Sequence, residues 1–239
     1  MRVWLVALLT LFPFSGATAA VAVETEAGAR TVPLRVTNLT AVDDQGAVEF
    51  DLVNLSDRHV TAWVLRYSDV YSDGRRSVGR ETYDAHNTEA KWLPPHGVVH
   101  RRLSVGQLDG QHPVATDVWP TAAAFSDGTL AGAADEQHEI ISARQQERQG
   151  WVTAIRILLE VQYSAETTSL DRLRVARSRI ASYAEGRSGI ERAALRGALS
   201  RLDLALRTSE PPDEALVKTI AIARGRIDNL RAHLRSATE

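Results

Sequence analysis

The sequence contains no cysteine. This absence excludes disulfide bonds, thiolate metal sites and cysteine nucleophiles. It also excludes a lipid anchor of the bacterial lipoprotein type, because that anchor is attached to a cysteine at the mature N-terminus. Stability must therefore come from burial, and a hydrophobic content of 44% is ordinary for a chain with a buried core.

A long hydrophobic run is also missing. The longest, Val3 to Phe14, has about twelve residues, whereas a membrane-spanning helix needs about twenty. It follows Arg2 and precedes Ala17-Thr18-Ala19, a small-x-small cleavage site. We therefore predict no membrane span but a cleaved signal peptide, residues 1–19, and a periplasmic or secreted protein. The preferred cleavage is between Ala19 and Ala20, and a second site follows Ala22.

Lysine is scarce. It occurs only at Lys91 and Lys218, so nearly all of the positive charge is carried by arginine. This bias favours a bacterial source with a GC-rich genome. The formal net charge is -2, and the more basic half of the chain, residues 136–239, interleaves its arginines with acids. Nucleic-acid binding requires a concentrated basic face, so we predict no nucleic-acid partner.

Sequence motifs of known catalysis are absent as well. The chain has no G-x-S-x-G elbow, phosphate-binding loop, dinucleotide fingerprint or EF-hand string. We therefore expect no cofactor and no recognisable catalytic set, which favours a non-enzymatic protein.

Residues 31–134 alternate apolar and polar side chains between clusters of turn residues, which is the pattern of β-strands. We predict a flexible mature N-terminus over residues 20–30 and then seven strands. These lie at 32–36, 48–52, 59–71, 76–83, 98–103, 115–125 and 129–132. Short strands at this spacing are typical of an antiparallel β-sandwich.

Four features of this region are those of a common sandwich type. They are the strand Val48–Leu52, the pair Asn54-x-Ser56, Trp63 on the following strand and the closing hairpin Phe125–Thr129. With them the region resembles immunoglobulin-like and fibronectin type III-like domains. The resemblance implies a fold and carries no functional site.

Residues 135–239 show the apolar period of helices, and we predict an antiparallel bundle of three to four helices. The fold class is therefore α+β in two segregated parts. Gly150 is a candidate kink in the first helix, and Thr168 and Asp171 stand at capping-box spacing before the second. The last helix carries an apolar seam formed by Leu216, Ile220, Ala223, Ile227, Leu230 and Leu234. Either the bundle or another chain, as in a coiled coil, covers this seam.

Two groups of residues are candidates for binding or chemistry. Asp135, His138 and Glu139 share one helix face and could hold a metal ion or a proton, although acids also favour a helix start because they oppose its dipole. Trp92 and Trp119, each near a proline, could be exposed in loops and stack on sugar rings, although most tryptophans of a sandwich belong to its core.

These observations support three hypotheses for function. The first is a non-enzymatic interaction or scaffold protein that binds a protein partner, or itself, through its helical part. The second is a carbohydrate-binding module that uses Trp92 and Trp119. The third is a metal-dependent hydrolase centred on Asp135, His138 and Glu139 at the junction of the two parts.

Overall fold

The computed structural model describes residues 32–86, 88–164, 168–187, 189–208 and 210–235. Within these ranges an all-β part precedes an all-helical part, as the change of period near residue 134 predicts. The predicted signal peptide over residues 1–19, its cleavage site between Ala19 and Ala20, and the predicted flexible segment 20–30 lie outside the described residues.

Among the described residues, the first part contains seven strands in two antiparallel sheets. The strands are β1 (Leu34–Thr37), β2 (Ala47–Asn54), β3 (Val60–Val70), β4 (Arg76–Asp84), β5 (Val98–Ser104), β6 (Ala115–Phe125) and β7 (Leu130–Gly132). One sheet has the order β1-β2-β5 and the other the order β4-β3-β6-β7. The predicted fold class for this part is confirmed.

The core of the sandwich follows from the period of two. In β2, Val48, Phe50 and Leu52 are fully buried and alternate with partly exposed acids. From the opposite sheet, Trp63 of β3 and Phe125 of β6 belong to the same apolar cluster. Trp63 therefore occupies the inner position that the sequence predicts for it.

The second part contains four helices within the described residues. They are α1 (Ala134–Gln162), α2 (Ser169–Glu185), α3 (Gly189–Arg207) and α4 (Pro212–Arg235). The side chain of Thr168 accepts a hydrogen bond from the Asp171 backbone N–H at 3.2 Å, so the predicted cap of α2 is confirmed. No helix of the described part combines the length and the apolar character needed to cross a bilayer.

The seam on α4 is covered by the bundle itself. Leu216, Ile220, Ala223, Ile227 and Leu230 are all buried and share one core cluster with residues of the other three helices. Of the two alternatives for this seam, the structure shows burial within the chain. The sixth residue of the seam, Leu234, is partly buried.

Gly150 does not interrupt α1, which is helical on both sides of it. It is instead a point of close approach between α1 and α3. A Cβ atom at Gly150 would lie 2.7 Å from the carbonyl oxygen of Glu191 and 2.8 Å from the Cβ atom of Ala194. The absence of a side chain at Gly150 therefore lets the two helices pack closely. This tertiary contact explains why a glycine stands inside a helix.

Two glycine substitutions test this packing. Alanine favours a helix over glycine by about 1 kcal/mol, so Gly225→Ala, on α4 with no atom within 4 Å of the new methyl group, should stabilise the protein by about that amount. Gly150→Ala should destabilise it by about 1–3 kcal/mol, because the new methyl group forces α1 and α3 apart. Urea unfolding measures both, and equal gains in stability would contradict the close approach.

Candidate functional site

The first helix belongs to both parts of the molecule. Its N-terminal half lies on the outer face of the four-stranded sheet, and its C-terminal half enters the core of the bundle. Ile140 is the apolar centre of the first contact, where it packs on alanine and valine side chains. These are Ala62, Val64, Ala122 and Ala124. The junction between sandwich and bundle is therefore formed by one continuous helix.

One turn further along α1, Arg144 is 1% exposed and binds the carboxylate of Asp84 at the end of β4. Its Nε lies 2.9 Å from one carboxylate oxygen and its Nη2 lies 3.1 Å from the other, a bidentate pair. The Nη2 atom also donates to the hydroxyl of Thr61 on β3 at 3.0 Å. A buried guanidinium thus joins the helix to two strands.

The same carboxylate also contacts a histidine. His86, 3% exposed, places Nδ1 2.8 Å from Asp84, and its Nε2 lies 3.3 Å from Glu147 of α1. Its backbone carbonyl accepts a hydrogen bond from Asn229 of α4 at 3.1 Å. Burial raises the pKa of Asp84, but the hydrogen bonds from His86 and Arg144 outweigh burial and lower this pKa to about 2.

His233 of α4 completes the junction. Its ring makes edge contacts with His86, at a centroid distance of 6.3 Å, and with Trp92, at 6.1 Å. Burial, followed by the positive charges of Arg144 and His86, lowers the pKa of His233 to about 4, with a smaller opposing effect from Asp84. His233 is therefore neutral at ordinary pH, and its Nδ1 has no hydrogen-bond partner among the described residues.

The acids of the metal hypothesis lie at the start of α1, where arginines of the sheet pair with them. Asp135 lies 3.5 Å from Arg66, and Glu139 pairs with Arg80. His138 is exposed beside them. Across the described ranges, no group of three or more histidine and acidic side chains is placed to hold a metal ion.

Glu136 is the central acid of this cluster, although the sequence pattern does not mark it as a candidate site residue. It is 1% exposed and accepts a hydrogen bond from Arg66 Nε at 2.6 Å, while Arg80 lies 3.7 Å away. This contact raises the pKa of Arg66 above its ordinary value. The cluster therefore attaches the first turn of α1 to the sheet by charge, next to the apolar contact of Ile140.

The two candidate tryptophans lie in different settings. Trp92 lies between β4 and β5, half-buried, and donates its indole N–H to the carbonyl of Ala85 at 2.9 Å. Trp119 lies within β6 rather than in a loop, opposite Arg66, and is 37% exposed. No ring contact joins the two in the described structure.

The chain shows little similarity to known proteins. No protein family model matches the chain, and no curated protein matches it. Among solved structures, a hypothetical protein from Peptoclostridium difficile 630 is similar at 12% identity and a TM-score of 0.29, over 47% of this chain and 92% of that one. This likeness is too weak to carry an argument about fold or function.

The pKa of His233 makes stability depend on pH. The unfolded chain binds a proton at this residue below about pH 6.5, whereas the folded protein binds it only below about pH 4. His233 therefore makes its full contribution to the free energy of unfolding above pH 6.5. As the pH falls from 6.5 through 4, this contribution is lost, and the free energy of unfolding falls by about 2 kcal/mol after allowance for partial screening by solvent.

Urea unfolding between pH 7 and pH 4 measures this loss. His233→Phe keeps a ring against Trp92 without a titrating group, so its stability should fall less steeply than that of the unmodified protein. His138→Gln, at an exposed histidine, is the control and should leave the profile unchanged. Parallel profiles for His233→Phe and the unmodified protein would contradict the assignment.

Proposed function

We propose that the protein is a non-enzymatic interaction protein of the periplasm or cell exterior, and that it presents its sandwich and bundle to a protein partner in one relative orientation. The junction at Arg144 carries this proposal. Motion between neighbouring domains is the usual expectation unless their interface is extensive. Here α1 is shared by both parts, and Arg144, Asp84 and His86 join the sandwich to α1 and α4.

A fixed orientation favours binding over catalysis for this chain. Only Ala133 separates the end of β7 from the start of α1, so no flexible linker lies between the parts. Removing a buried charge from water is costly, and in some proteins a buried ion pair fixes one arrangement of the chain rather than adding stability. A scaffold that contacts one partner with two surfaces requires this property.

The proposal predicts that capture of a partner depends on the junction. The mature chain, used as bait in an envelope extract of the producing organism, should retain a protein in stoichiometric amount. Arg144→Met removes the bidentate pair while keeping an apolar stem of similar length, and it should reduce retention because the two surfaces lose their common orientation. Arg174→Met, at an exposed arginine of α2 whose side chain is 62% exposed, should retain the partner fully.

Light scattering on the same samples separates a foreign partner from a second copy of this chain. A strictly monomeric mature chain that retains no protein above the level of an unrelated bait would contradict the proposal. Equal retention by Arg144→Met and the unmodified chain would contradict the role of the fixed orientation.

The exported location is part of the proposal and has a separate test. The intact mass of the protein from the envelope fraction should correspond to a chain that begins at Ala20, or at Val23 if the second site is used. A chain that retains Met1 and remains in the cytoplasmic fraction would contradict it.

A further inference from the structure

A cleft opens at one side of the sandwich, between the edge strands β4 and β5. It has a volume of about 250 Å³. Three aromatic side chains line it together with two cations: Trp63 of β3, Tyr83 of β4 and Trp92 from the segment before β5, with Lys91 and Arg101. This cleft adjoins the junction, because Trp92 also contacts His233 there, and it is separate from the exposed face that carries Trp119.

The base of the cleft is a stack of aromatic rings. Trp63 and Tyr83 lie with their ring centroids 4.1 Å apart at an interplanar angle of 19°. The guanidinium of Arg101 lies 5.0 Å from the centre of the Tyr83 ring, a cation–π contact, and donates to Glu81 at 2.7 Å. These contacts hold the polar side chains of the cleft in place before any ligand arrives.

Three buried polar atoms at this place have no hydrogen-bond partner among the described residues. They are Nε1 of Trp63, Nε of Arg101 and Oε2 of Glu81. The indole N–H is the most informative, because Trp63 is 1% exposed and buried donors are nearly always satisfied. Two of these atoms, the donors Nε1 of Trp63 and Nε of Arg101, belong to residues that line the cleft, and an acceptor such as a hydroxyl oxygen matches them.

We propose that this cleft binds a single pyranose ring of a glycan. The sugar's apolar face stacks on Trp92, and its hydroxyl oxygens accept hydrogen bonds from Trp63 Nε1 and Arg101 Nε. Aromatic walls with a few placed polar groups are the usual composition of a small-ligand site. This site is additional to the protein partner proposed above.

The test uses the indole N–H resonances of the mature protein in a two-dimensional ¹H–¹⁵N spectrum. Glucose, galactose, mannose and N-acetylglucosamine are titrated singly into the millimolar range, where a one-ring site is expected to bind. The resonances of Trp63 and Trp92 should shift together with one dissociation constant, while those of Trp119 and Trp151 stay in place.

Matched variants assign the site. Trp92→Ala should weaken binding by about tenfold or more, because it removes the stacking surface. Trp119→Ala, a control tryptophan on the outer face of β6, should change the dissociation constant less than twofold. Trp63→Phe keeps an aromatic ring against Tyr83 but lacks the N–H, and it should also weaken binding.

Three results would overturn the proposal. The first is no shift of the Trp63 or Trp92 resonance with any of the four sugars. The second is an equal loss of binding in Trp92→Ala and Trp119→Ala, which would place the sugar elsewhere. The third is an unchanged dissociation constant in Trp63→Phe, which would contradict the hydrogen bond assigned to the Trp63 N–H. Each result is independent of whether a protein partner is captured.

Discussion

The buried guanidinium of Arg144 needs an anionic partner, and Asp84 supplies both carboxylate oxygens to it. An arginine that is 1% exposed without such a partner would carry a large desolvation penalty. The position of α1 on the sheet is therefore constrained, because a shift along the helix axis would leave this charge unpaired. Thr61 adds a third hydrogen bond and extends the constraint to the middle of the sheet.

The orientation of the bundle follows from this contact. Glu136, Ile140 and Arg144 are spaced four residues apart and are all buried against the sheet, so one face of α1 carries an ionic, an apolar and an ionic contact in turn. Since α1 continues into the bundle core, the other helices take their positions from it. The contacts of α4 with His86 then close the junction from the far side.

Much of the fold could be predicted because it depends on local periodicity. Alternation gave the strands within a few residues, and the capping pair Thr168 and Asp171 marked the start of α2. The junction could not be predicted in the same way, because charged side chains are usually exposed and a stripe of Glu136, Ile140 and Arg144 does not look like a buried face. The signal that the sequence offers for this buried face is that Glu136 and Arg144 each stand four residues from the apolar Ile140.

The candidate sites also divide into features that the local sequence predicts and contacts that only the folded chain creates. The shared face of Asp135 and Glu139 was a local inference, but their arginine partners Arg66 and Arg80 come from distant strands that only the sheet brings near. Likewise, Trp63 and Arg101 meet at the cleft because two sheets pack face to face, and no spacing in the sequence reports that contact. Trp92 and Trp119 were paired as candidates for sugar binding by their nearness to prolines, whereas the neighbours of Trp92 in the cleft come from distant strands.

Calorimetric unfolding of the mature chain tests the central claim most directly, because a junction that couples two parts makes them unfold together. The account predicts a single transition whose calorimetric and van't Hoff enthalpies agree for the unmodified protein. It predicts two separate transitions, one for each part, for Arg144→Met. Two transitions in the unmodified protein, or a single unchanged transition in Arg144→Met, would contradict it.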